Sequence, residues 1–173
     1  KQKKYFIGTL LSVLFISSVA KAGVSDETAY ILNSFLFLVM GFLVMWMAAG
    51  FCMLESGLVT SKSVSTIAAK NIGLYAIAGI VFWLCGYNLA YGIEEGGFIG
   101  SFIPWYDAST LATGYSDGSD WFFQMVFCAT TISIVSGTLA ERIKIWPFFI
   151  FAAIMAGVIY PISMGWQWGG GWL

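Results

Sequence analysis

Apolar residues fill four long stretches of the chain, and the segments between them hold most of the charged and turn-forming residues. About 20 consecutive apolar residues are enough for a helix to cross the hydrocarbon of a bilayer. The pattern therefore predicts four membrane-spanning helices. They cover roughly Tyr30–Leu54, Ile72–Tyr91, Trp121–Ala140 and Ile145–Met164. Before the first of them, Ser25 followed by Asp26 and Glu27 is typical of a helix start, because first-turn carboxylates suit the positive end of the helix dipole.

Composition supports an all-α integral membrane protein. Apolar residues make up 59% of the chain and charged residues 10%, whereas a soluble domain has about 25% charged residues. The mean hydropathy is +0.83. A chain of 173 residues cannot hide so much apolar surface from water, so lipid must be its main solvent.

Little in the sequence points to an enzyme. The chain has no histidine, which excludes a histidine-based catalytic or metal site within these residues. It has no phosphate-binding loop, nucleophile elbow or metal-ligand spacing, and no basic patch suited to nucleic acid. We therefore expect no catalytic residue, no metal, no cofactor and no nucleic-acid partner.

The first 22 residues resemble a signal peptide. Lysines form a basic front, Phe6–Val19 is apolar but short for a span, and Ala20 and Ala22 are small residues at the positions that matter for cleavage. We expect residues 1–22 to be removed, so that the mature membrane domain covers residues 23–173. The alternative is a retained first membrane helix.

Charge predicts how the helices are oriented. The basic residues beyond the leader lie in the connections after the first and third spans; these are Lys62, Lys70, Arg142 and Lys144. The 92–120 loop has no basic residue but five acids, namely Glu94, Glu95, Asp107, Asp117 and Asp120. Positive loops stay in the cytoplasm. The mature N-terminus, the 92–120 loop and Gly169–Leu173 are therefore expected outside, in a multi-pass protein of the inner (plasma) membrane.

Aromatic residues mark the outer ends of the third and fourth helices. Phe123 and Phe127 lie on one face of the third helix, with Phe127 one turn, or about 6 Å, deeper. Trp166 and Trp168 end the fourth helix on the same side. Aromatic faces attract small cations, but lipid-facing or core Phe and interfacial Trp are alternative interpretations. The glycines at 169–171 favour a tight buried turn beside these aromatics, or else simply a flexible end.

Polar groups at the inner side should pair with one another. Glu55 lies where the first helix ends, a position at which the helix dipole disfavours a carboxylate. We expect it to pair with Lys62 or Lys70 as a structural contact. Asn71, at the membrane edge of the second helix, also needs a polar partner.

Small residues predict a densely packed helical bundle, because they let helices approach closely in lipid. The glycines concerned are Gly41, Gly50, Gly73 and Gly79. Hydroxyl groups in the third helix can bond to their own backbone and need not line a pore. They belong to Thr130, Thr131, Ser133 and Ser136.

Several motifs, in the same order, resemble those of the Amt/Mep/Rh ammonium transporters, with the bacterial Amt type most similar. The resemblance covers roughly residues 30–173. Its motifs are Gly50–Val59, Lys70-Asn71, Phe82–Tyr87, Phe122-Phe123-Gln124, Phe127, Val135–Arg142, Tyr160-Pro161 and Trp168–Leu173.

The resemblance implies an eleven-helix protomer built from two inverted five-helix halves and a last helix, assembled as a homotrimer with one pore per subunit. This chain would supply the first four helices. Implied partners are ammonium or ammonia as substrate, membrane lipid and a cytoplasmic PII-type regulatory protein.

By position in the motifs, Phe127 matches the Phe that gates the outer end of the pore. Phe123 and Trp168 match aromatics of the outer site that recruits ammonium. The family's pore histidines, an Asp and a further polar partner of that site would lie after Leu173. Two alternatives are an ammonium-sensing membrane module of a signalling protein and, for the 173 residues taken literally, an inactive fragment.

Overall fold

The computed structural model describes residues 23–173, which form four long apolar helices. They are α1 (Asp26–Leu58), α2 (Ser61–Tyr91), α3 (Asp117–Thr138) and α4 (Ile145–Trp168). The described part of the chain is all-α, as predicted. The expected leader lies outside the described residues.

The helices alternate in direction, so their connections gather at two ends of the bundle. The long-loop end comprises the start of α1, residues 92–116 and the tail 169–173. The short-loop end comprises residues 59–60 and 139–144. In α1, the Ser25 side chain caps the first turn by accepting a hydrogen bond from the Thr28 amide at 3.2 Å, which confirms the predicted helix start.

The second helix differs most from its prediction, because it begins at Ser61 rather than near Ile72. The charge of Lys70 suggested that this residue belongs to a loop, and that prediction is wrong. Lys70 lies within α2 and is only 4% exposed. The hydropathy pattern predicted a span that begins only after the polar residues Lys70 and Asn71. The helix includes these residues because their side chains bond to partners inside the bundle.

Those partners form a buried polar cluster made of Glu55, Lys70, Asn71 and Ser136, which ties α1, α2 and α3 together. Lys70 Nζ lies 2.8 Å from Glu55 Oε2 and donates to the Ser136 carbonyl at 3.0 Å. Asn71 Nδ2 donates to Glu55 Oε2 at 3.2 Å, and the Ser136 hydroxyl donates to Glu55 Oε1. Lys70, and not Lys62, is the partner of Glu55.

The cluster also corrects one prediction about the hydroxyl groups of α3. Thr130, Thr131 and Ser133 bond to carbonyls of their own helix, as expected. Ser136 instead donates across the bundle to Glu55. A serine close to a buried carboxylate on another helix gains a charge-assisted bond, which is stronger than a bond to its own backbone.

Small residues bring the helices close at two of the four predicted glycines. A Cβ at Gly41 would lie 2.7 Å from the Phe122 ring, and one at Gly73 would collide with Phe149. At Gly79 the nearest atom, the Met125 sulfur, is 3.9 Å away, and nothing described lies within 4 Å of Gly50. Close packing is therefore confirmed at Gly41 and Gly73 only.

Helices α2 and α4 meet where each contains a single π turn, at Phe82–Gly86 and Met155–Ile159. A π turn shifts the helical hydrogen bonds and leaves carbonyls that need other donors. The Cys85 thiol lies 3.7 Å from the Gly157 carbonyl, and the Cys128 thiol lies 3.9 Å from the Ala156 carbonyl. These two cysteines therefore fill the crossing as small side chains with weak donors.

At the short-loop end, Glu141 joins the two short connections. Its carboxylate accepts from the Thr60 amide at 3.1 Å and from the Thr60 hydroxyl. These bonds hold the pKa of Glu141 below its usual value. The contact is therefore fully formed above the ordinary pKa of a glutamate and weakens as pH falls through the lowered value.

We expect Lys70→Met to destabilise the bundle strongly, since it leaves the Glu55 carboxylate buried without a counter-ion. Breaking one side of a buried pair costs about 3–5 kcal/mol. The thermal midpoint of the purified protein in detergent measures the loss. Lys62→Met is the matched control, because Lys62 is exposed and surface changes cost about 0.5 kcal/mol or less. Equal midpoints for the two variants would show that the pair does not hold the helices.

Candidate functional site

The three aromatic residues singled out in the sequence line one cavity at the long-loop end of the bundle. The cavity has a volume of about 360 Å³ and lies between α2, α3 and α4. It is lined by Tyr91, Phe123, Gln124, Phe127, Tyr160, Met164 and Trp168. The structure therefore brings Phe123, Phe127 and Trp168 to the same cavity.

The two phenylalanines present different parts of their rings to each other. The ring centroids of Phe123 and Phe127 are 5.1 Å apart, with the planes at 78°. Phe37 of α1 also packs against Phe123, at 5.3 Å between centroids. The first contact is edge to face and the second is tilted. Aromatic contacts with these geometries fix ring orientation, so Phe123 is held by two rings while Phe127, 36% exposed, keeps part of its surface open.

Trp168 forms the rim of the cavity and is 74% exposed. Its backbone is held by the glycine turn that follows it. Gly169 and Gly171 both donate to the Gly165 carbonyl, at 3.0 and 3.1 Å, and Gly170 takes a positive φ of 78°. The predicted turn is tight, but it is only partly buried.

The long connection completes this end of the bundle. Gly96 donates to the Gly170 carbonyl at 2.9 Å, and the Trp166 indole donates to the Phe98 carbonyl at 2.7 Å. Trp166 is thus an anchor between α4 and the 92–116 connection. The neighbouring Trp168 makes no such bond among the described residues, which leaves its ring free to face the cavity.

Four lining residues were not predicted as part of a site: Tyr91, Gln124, Tyr160 and Met164. They add two phenol groups and one amide to an otherwise apolar wall. Gln124 and Tyr160 belong to motifs quoted for the family resemblance, but nothing in one sequence shows that α2 and α4 converge on α3. The positions of these residues along their helices indicate a shared site only once the crossing of the helices, which the π turns set, is known.

Asp120 is the clearest correction at this end. Its charge suggested an acidic loop, but α3 begins at Asp117, so Asp117 and Asp120 both lie in its first turn. Asp120 is only 4% exposed. It accepts from the Tyr87 hydroxyl at 2.6 Å and from Gln124 Nε2 at 3.1 Å. The buried carboxylate therefore stands directly behind one wall of the cavity.

Comparison with known proteins connects this chain to a family. Residues 35–173 match the family described as Ammonium Transporter Family. The chain belongs to the ammonium transporter family. It is 36% identical over 179 aligned positions to a putative ammonium transporter of Synechocystis sp., and the alignment covers 98% of this chain and 40% of the relative. It is also 41% identical to ammonium transporter Amt2 of Archaeoglobus fulgidus, over 79% of this chain and 29% of that protein.

Two solved structures described below have the same fold. A protein described as Sensor Amt Protein superposes with a TM-score of 0.75 at 31% identity, covering 84% of this chain and 36% of that one. Candida albicans Mep2 superposes with a TM-score of 0.70 at 22% identity, covering 86% of this chain and 34% of that one. The chain thus spans less than half the length of these relatives.

The glycine turn can be tested separately from any activity. We expect Gly169→Ala to displace the end of α4 and Trp168 with it, because an added Cβ would collide with the Ala90 carbonyl oxygen. Overpacking of this kind costs about 1–3 kcal/mol, measured as a lower thermal midpoint. Gly118→Ala is the control, since its Cβ would meet only the Ser116 hydroxyl at 3.6 Å. A midpoint for Gly169→Ala equal to that of the control would contradict the close contact.

Proposed function

We propose that this chain forms the N-terminal, entrance-building part of a protein that moves ammonium or ammonia across a membrane. The observation that carries the proposal is the convergence of Phe123, Phe127 and Trp168 on one cavity of about 360 Å³. Membership in a transporter family supports it, as do the names of the relatives. In the proposed protein these four helices precede further helices that complete an eleven-helix protomer and a homotrimer.

Recruitment of a cation is the first proposed step. Phe123 and Trp168 offer aromatic faces at the entrance, each contributing about 0.5–2 kcal/mol depending on how far the cation is dehydrated. Four exposed or partly exposed acids lie in or just after the long connection, at the same end of the bundle as the cavity, and raise the local cation concentration. They are Glu94, Glu95, Asp107 and Asp117.

Phe127 is proposed as the gate because it lies one helical turn deeper than Phe123 and its ring packs against Phe123. Beyond it, the open face of α3 continues with Ile134, which is 54% exposed. An apolar wall makes passage of a full charge costly. The cation is therefore expected to lose a proton before or during passage.

The proposed orientation follows from the corrected charge distribution. With Lys70 inside the bundle, the basic residues of the short-loop end are Lys62, Arg142 and Lys144, and residues 92–116 contain none. This asymmetry supports a cytoplasmic short-loop end and an outer cavity. The inner membrane is the proposed location, and a PII-type regulator is a proposed partner at the cytoplasmic side.

Transport is favoured over sensing. The curated relatives described above are named ammonium transporters, whereas sensing appears in the name of one solved structure. A sensor built on the same cavity would bind ammonium without passing it, so uptake measurements separate the two functions.

We expect Trp168→Leu to weaken the apparent affinity of methylammonium uptake by the natural full-length product, because one aromatic face is lost. A change of about 0.5–2 kcal/mol corresponds to roughly 2- to 30-fold. Uptake of labelled methylammonium into proteoliposomes measures it. Trp146→Leu, which removes a 75% exposed tryptophan from the other end of α4, is the control. Unchanged uptake kinetics in Trp168→Leu would sink the assignment of that residue.

We expect Phe127→Ala to alter gating, since it removes the deeper ring and leaves Phe123 in place. Selectivity for methylammonium over potassium should fall, as measured by competition with potassium in the same uptake assay. Phe42→Ala is the matched control, because Phe42 is a half-exposed phenylalanine of α1 that contacts Phe122 and not the cavity. Normal selectivity in Phe127→Ala would count against a gate at this position.

A further inference from the structure

Gln124 is the lining residue whose polar atoms have a fixed direction. Its Nε2 donates to Asp120 Oδ1 at 3.1 Å. A carboxylate can only accept hydrogen bonds, so the nitrogen side of the amide must face Asp120. The other polar atom, Oε1, accepts no hydrogen bond from the described residues. Gln124 lines the cavity, so its amide oxygen is the polar end of that side chain that is left available as an acceptor.

Asp120 is itself held by two neutral donors. Tyr87 donates to Oδ2 at 2.6 Å while Gln124 donates to Oδ1, and the residue is only 4% exposed. Within residues 23–173 the ion pair present is that of Lys70 with Glu55, at the other end of the bundle. The negative charge of Asp120 is therefore not paired with a cation in the described part of the chain.

Aromatic faces alone do not choose between ammonium and potassium, because both are small monovalent cations. An oxygen acceptor changes the comparison. Ammonium donates one directed N–H to the oxygen and turns the others to the rings. Potassium needs a shell of several oxygens to replace its water, and one amide oxygen with the hydroxyls of Tyr91 and Tyr160 is too small a set to supply it.

We propose that Asp120 is a positioning residue that turns the Gln124 amide oxygen toward the cavity and so makes the site prefer a cation with N–H donors over potassium. This proposal rests on the proposed function of the cavity. Asp120 does not touch the cation itself. It acts by fixing which end of the Gln124 amide the cation meets.

The substitution Asp120→Asn tests the positioning because it keeps the size of the side chain but replaces one acceptor oxygen by an NH₂ group. The Tyr87 hydroxyl can donate to the Asn oxygen or accept from its NH₂ group, so the Asn amide has no fixed orientation. Whenever its NH₂ group faces Gln124, the Gln124 side chain must turn its oxygen inward to accept, which presents its NH₂ group to the cavity. A donor in that position repels ammonium.

Tyr87→Phe supplies the matched control. It removes the other hydrogen bond to Asp120 but leaves a carboxylate facing Gln124, so the orientation of the Gln124 amide is kept. A general structural defect around Asp120 would lower the affinity ratio in this variant as well, whereas a loss of positioning would not.

Binding is measured on the purified natural full-length product by titrating ammonium chloride and potassium chloride against tryptophan fluorescence. The signal from the cavity is identified as the part lost in Trp168→Phe. We expect Gln124→Met to lower the ratio of ammonium affinity to potassium affinity about tenfold, the loss of one hydrogen bond to a charged group. Asp120→Asn should lower the ratio at least about twofold, because a fraction of the molecules then presents the wrong end of the amide, whereas Tyr87→Phe should keep most of the ratio.

The outcomes distinguish this proposal from the proposed function. If the natural protein takes up methylammonium but Asp120→Asn leaves the affinity ratio unchanged, the positioning role is wrong and transport stands. If uptake is absent but the ratio falls in Asp120→Asn and not in Tyr87→Phe, transport is wrong and the positioning role stands. A natural protein that binds the two cations equally overturns the positioning role, as does a ratio that falls equally in Asp120→Asn and Tyr87→Phe.

Discussion

The buried ion pair of Glu55 with Lys70 is the interaction on which the rest of the bundle depends. Inside a membrane each charged group must find its partner within the protein, because lipid offers none. Glu55 therefore fixes three helices at once: it is bonded to Lys70 and Asn71 of α2 and to Ser136 of α3. That constraint sets the relative positions of α1, α2 and α3, and the aromatic cavity forms at the other end of the same helices.

The contact of α2 with α4 completes the positioning. The paired π turns and small residues such as Gly86 and Gly157 allow the two helices to approach closely at the crossing. Toward the long-loop end, Tyr91 and Trp168 then reach the same cavity as the aromatic residues of α3. The cavity is thus a consequence of how three helices cross. Behind its wall lies Asp120, a second buried carboxylate besides Glu55, whose hydrogen-bond partners are neutral.

Much of the site could be predicted from the sequence, and the part that could not has a common cause. Helical spacing and the ends of the apolar runs place Phe123, Phe127 and Trp168 at one end of the bundle, and the motifs of the family resemblance indicated these three among the aromatic residues there. Lys70 and Asp120 were assigned to loops because hydropathy treats a charge as a boundary. Both are buried in helices. A hydropathy scale assigns a cost to burying a charged side chain, but a bonding partner on another helix removes that cost.

The sequence by itself determined that lipid is the main solvent of the chain, how many long apolar helices it has, where α1 starts and which family it belongs to. These properties depend on local composition, periodicity and motif order. Only the tertiary structure decided that Lys70 rather than Lys62 pairs with Glu55, that Ser136 bonds across the bundle, and that Gln124 is oriented by Asp120. Each of these contacts joins residues on different helices or follows from where a helix begins. Their geometry depends on crossing angles and depths that no single stretch of sequence contains.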